Sequence, residues 1–124
     1  MPVIEVSNGE LLDRVSVLEI KRARLSASVQ LSFVESELQG LLDSANSLLA
    51  MNEVARLYES LMRTNQEIWD GMQFIYDTEA QWNEQLMHVT LSIIELNKRR
   101  AQFKRDIDVA TGSNQREAKT FFEE

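Results

Sequence analysis

The sequence predicts an all-α protein, an antiparallel bundle of about four helices with a long helical hairpin in its C-terminal half. Three observations carry that prediction. From Val54 to Ala110 an apolar residue falls on nearly every third or fourth position in alternation, kept by Val54, Tyr58, Leu61, Ile68, Met72, Ile75, Trp82, Leu86, Val89, Ile93, Leu96, Phe103, Ile107 and Ala110. One proline, at position 2, and four glycines leave long stretches with no strong helix breaker. The 124 residues, 44% hydrophobic and 27% charged, suit a single domain over 1–124 with one core. Within the beat only Asn65, Glu79 and Arg100 are polar, so specific chemistry in the core is expected at those three and their neighbours.

The first seven residues read as an extended segment, with Val3, Ile4 and Val6 β-prone. Ser7-Asn8-Gly9-Glu10 then forms a capping box that starts helix 1, with Ser7 as cap and Glu10 reaching back. Leu11, Val15, Leu18, Leu25 and Val29 give its stripe, Arg22 fills a skipped core position, and Ser26-Ala27-Ser28 is the expected stop. Helix 2 follows in a shifted register through Leu31, Val34, Leu38, Leu41, Ala45 and Leu48, and serines and asparagines between Asp43 and Asn52 are read as the next break. From Val54 onward the periodicity allows one helix of about 57 residues or two in the same phase. A second capping box from Thr78 to Gln81 favours the hairpin. The last helix runs to about Ala110, with Thr111-Gly112 as a left-handed cap, and 113–124 is a tail.

Composition excludes several chemistries. Without cysteine there are no disulfides, thiolate catalysis or cysteine-based metal sites. No apolar run approaches the roughly 20 residues of a membrane span, and Met1-Pro2-Val3-Ile4-Glu5 lacks the form of a signal peptide, so a cytoplasmic location is expected. The net charge of −7 is uneven: residues 31–95 hold eleven acids and two bases, residues 96–124 five acids and seven bases. An acidic middle disfavours nucleic acid as a partner. The basic cluster Lys98, Arg99, Arg100, Lys104 and Arg105 is expected to complement the acidic helices from within the fold.

His88, the only histidine, has no second ligand at metal spacing, and the pairs Glu10/Asp13 and Glu67/Asp70 lack the further acidic set that a magnesium-dependent hydrolase needs. No metal and no cofactor are expected. The group that borders the core is Asn97, Arg100 and Lys104 on the last helix, with Asp13, Lys21 and Arg24 on helix 1 and Asn65, Trp69 and Asp70 on the first arm of the hairpin, which starts near Val54. Two readings stand side by side. In one, Arg100 clamps a carboxylate or phosphate ligand. In the other, Asp13, Glu19 or Asp70 neutralises Arg100 and Arg22 and sets bundle register. Phe121-Phe122 in the polar tail is a candidate contact for a partner.

The stretch Val6-Ser7-Asn8-Gly9-Glu10-Leu11-Leu12-Asp13-Arg14-Val15-Ser16-Val17-Leu18-Glu19-Ile20-Lys21 resembles the opening of a family of short uncharacterised helical proteins found in bacteria and cyanophages. Glu67-Ile68-Trp69-Asp70, Asn97-Lys98-Arg99-Arg100-Ala101 with Lys104-Arg105 and Thr111-Gly112-Ser113, and the endings Lys119 and Phe121 are similar to its later motifs. The resemblance implies no activity. It implies a bacterial or phage origin, with the host cytoplasm as location in the second case, and puts the matched Glu10, Asp13, Glu19, Lys21, Trp69, Asp70, Asn97, Arg100, Lys104 and Arg105 first for testing. With no nucleophile and base pair, metal set or phosphate loop in view, the reading is a non-enzymatic, self-associating interaction protein. The alternative is a small helical enzyme or binder of an anionic ligand, by analogy with the all-α chorismate mutases, with Arg100, Lys104, Lys21 and Arg22 as clamp.

Overall fold

A computed structural model describes residues 4–78 and 82–113. Four helices account for most of them: α1 (Asn8–Arg24), α2 (Ser28–Leu49), α3 (Asn52–Asp77) and α4 (Glu84–Thr111). They form the expected all-α bundle, and no strand occurs among the described residues. The unbroken beat is a hairpin, because α3 and α4 are separate helices packed against each other along their length. α1 and α3 each touch the other three helices, while α2 and α4 lie on opposite sides of that pair. The core joins Leu12, Val15 and Leu18 to Val34, Leu38, Ala45, Val54, Leu61 and Ile107.

Local chemistry sets the ends. Ser7 is extended and its Oγ accepts from the Glu10 amide at 3.0 Å, as a cap must. The Glu10 carboxylate, expected to reach back to that cap, instead meets Lys104 Nζ at 2.9 Å. Lys21, Arg22 and Arg24 occupy the last turn of α1, where cations oppose the negative end of the helix dipole. The polar run from Asp43 does not break α2 as expected. Asp43, Ser44, Asn46 and Ser47 ride on its exposed side while Ala45 enters the core, and the chain turns only at Ala50-Met51.

Thr78 was expected to start the last helix and instead closes α3, donating its hydroxyl to the Phe74 carbonyl at 2.7 Å. The cap of α4 is Asn83, whose Oδ1 accepts from the Leu86 amide at 2.8 Å. An asparagine facing the orphan amides of a first turn serves as well as threonine. Residue Gln81, the other half of the expected box, lies outside the described residues. Gly112 closes α4 at φ +61, the left-handed conformation that glycine adopts without steric penalty.

Two further expectations fail. Arg22 is not in the core; it is exposed on α1 between Glu19 at 3.7 Å and Glu35 at 3.6 Å. Val29 belongs to α2 and is exposed, because the break after Arg24 ends the phase that would have aligned it with Leu25.

Candidate functional site

Asn65 and Arg100, two of the polar interruptions in the apolar beat, meet at one atom group. The buried Asp13 carboxylate of α1 accepts from Arg100 at two points, Nε to Oδ1 at 2.8 Å and a terminal nitrogen to Oδ2 at 2.7 Å. Asn65 Nδ2 donates to Asp13 Oδ1 at 3.0 Å and to Ser16 Oγ at 2.7 Å, and the Ser16 hydroxyl donates to the Asp13 carbonyl at 2.7 Å. Buried Lys104 stands 3.9 Å from Asp13 Oδ2 while bonding Glu10. Three helices are therefore tied at one carboxylate by directional, charge-assisted bonds. The third interruption, Glu79, lies outside the described residues.

A second junction joins the start of α1 to the end of α4. The Gly9 amide donates to Asp108 Oδ1 at 2.7 Å, the Asn8 amide to Ser113 Oγ at 3.2 Å, and Asn8 Nδ2 to Thr111 Oγ1 at 2.9 Å. These groups satisfy amides that a helix start leaves without partners, and a carboxylate there is favoured by the dipole. The approach is so close that a Cβ on Gly9 would lie 2.2 Å from the Lys104 carbonyl oxygen. Asp108 is fully buried and its Oδ2 has no hydrogen-bond partner among the described residues. Between α1 and α3, the Tyr58 hydroxyl donates to Glu19 Oε1 at 2.5 Å. Burial, then that bond and the Glu19 charge, push the Tyr58 phenol well above its ordinary range.

The remaining predicted residues do not converge on Asp13. Asn97 is exposed in a shallow depression with Lys98, Ala101 and Arg105. Lys21 borders a notch where Glu10, Asp13 and Glu37 face Arg14 and Arg100, so acids and bases balance there. Asp70 pairs with Arg24 rather than with Arg100 or Arg22. Trp69, half-buried, lines a cleft between α1, α3 and α4 that Asn65 and Arg100 also line. His88 is exposed, and Phe121 and Phe122 lie outside the described residues. Sequence reasoning missed Gly9, Ser16 and Asp108 as junction residues. The only local hint was a glycine in a first helical turn, which a cap does not require.

The other site is a surface. Met87, Leu91 and Ile94 are 41%, 57% and 50% exposed, and their spacing of four and three continues through Lys98, Ala101 and Arg105. At about 100° per residue this stripe lies on the side of α4 away from the beat that faces α3. Among the described residues no cluster of acidic and histidine side chains is arranged to hold a metal, and no helix is long and apolar enough to cross a membrane. No family model, no curated protein and no solved structure matches the chain.

Proposed function

We propose that this is a non-enzymatic, self-associating helical protein whose copies pair through the outward face of α4. The observation that carries the proposal is the two-faced helix: Leu86, Val89 and Ile93 turn inward while Met87, Leu91 and Ile94 stand exposed in a heptad-spaced stripe. A helix apolar on both sides is ordinarily buried on both. Charge chooses the occupant and its direction. The first half of the stripe is bordered by Glu84 and Glu95, and the second half carries Lys98 and Arg105 within it.

A second copy laid antiparallel, with Leu91 of one against Ile94 of the other, brings apolar onto apolar and sets each Glu84 within a turn of the opposite Lys98. A parallel pair would stack Lys98 on Lys98 and Arg105 on Arg105. The two-point Arg100–Asp13 pair supports an interaction protein over an anion clamp, since the guanidinium fork already holds a carboxylate of its own chain. The resemblance of its motifs to bacterial and phage proteins supports a cytoplasmic setting.

Sedimentation of the full chain tests the pairing. Wild type is expected to dimerise and Leu91→Glu/Ile94→Glu to remain monomeric with unchanged helical circular dichroism, because both positions are exposed. Lys98→Glu should weaken the dimer, and adding Glu84→Lys should restore it only in an antiparallel pair. A wild type that stays monomeric at about 1 mM overturns the proposal.

A further inference from the structure

Between α1, α3 and α4 lies a cleft of about 310 Å³, the lower end of the range for small-molecule sites. Its walls are apolar and soft, formed by Ile20, Ile68, Trp69 and Met72, and the exposed Tyr76 stands at its rim. Asn65 and Arg100 also line it. The amide of Asn65 is oriented by its own bonds: Nδ2 is held by Asp13 Oδ1 and Ser16 Oγ, and Ser16 Oγ can act as that acceptor because its proton is donated to the Asp13 carbonyl. That geometry leaves Asn65 Oδ1, to which no described residue donates, as the hydrogen-bonding atom Asn65 offers the cleft.

Arg100 in the wall is compensated by Asp13 behind it, and Lys104 by Glu10, so the cleft has no excess charge with which to select an ion. Aromatic and thioether walls favour a flat, polarisable guest. We propose that this cleft binds a neutral small molecule of one or two aromatic rings that carries an N–H or O–H donor, and that Asn65 Oδ1 accepts that proton. The site is separate from the outward face of α4 and does not depend on pairing of copies.

Indole is the probe, with 1-methylindole as its counterpart lacking the donor, each titrated into the full chain and followed by amide chemical shifts in two-dimensional NMR. Indole is expected to produce saturable shifts confined to residues around Asn65 and Trp69, and to bind about tenfold more tightly than 1-methylindole, the usual scale of one hydrogen bond inside a protein. Met72→Trp, at a partly exposed position on the wall, should fill the cleft and abolish the shifts while the rest of the spectrum stays folded. Equal binding of the two probes overturns the role of Asn65. Shifts that persist in Met72→Trp, or the absence of saturable shifts, overturn the site.

Discussion

The two ends of the α3–α4 hairpin share one apolar beat yet are built differently. At the base, where α1 begins and α4 ends, Val54, Leu61 and Ile107 are fully buried, and polar groups are held by specific partners such as Gly9 with Asp108 and Asp13 with Arg100. Toward the tip, Met72 and Trp82 keep the same spacing and are exposed, beside exposed Tyr76. Periodicity is equal in both places. What differs is that α1 and α2 cover the base, so a helical stripe is buried only where a second layer reaches it. The lesson is that a heptad pattern marks which side of a helix is able to bury, while neighbouring helices decide whether it does.

The largest expected effect is at the base. Arg100→Ala leaves Asp13, almost wholly buried, without its two-point partner and should destabilise the protein by about 3 kcal/mol in urea unfolding; the lower end of the usual range applies because Arg100 is itself partly exposed. A loss no larger than that of a surface substitution would remove the contrast between base and tip. Gly9→Ala should follow, at roughly 1–3 kcal/mol, because its methyl meets backbone rather than a movable side chain. Gly9→Ser should do no better if crowding is the cause.

A smaller effect sharpens the same comparison through pH. The folded state holds the Tyr58 proton more tightly than the unfolded chain, whose phenol titrates near 10.0. Its contribution is therefore complete below pH 10 and declines as pH rises above that value. Unfolding free energies measured at pH 8 and pH 11 should fall further for wild type than for Tyr58→Phe. At the tip, Trp82→Ala should change monomer stability by less than about 0.5 kcal/mol, since the indole is already in solvent. A fall as large as that at the base would mean that the tip carries core packing of its own.

The sequence by itself determined the helices, their order, and several of their ends. Ser7, Gly112 and the apolar spacing act within a few residues, and such short-range signals are legible in a chain read alone. It also marked Asn65 and Arg100 as anomalies in the beat. Only tertiary structure decided what those anomalies meet: Asp13 lies 52 and 87 residues away along the chain, and Gly9 meets Asp108 across 99. It likewise placed Arg22 in solvent and chose Asn83 over Thr78 as the cap of α4. Each of these outcomes depends on the relative rotation and axial shift of whole helices, which are set by packing over many side chains at once. A period of three or four residues carries no record of that shift.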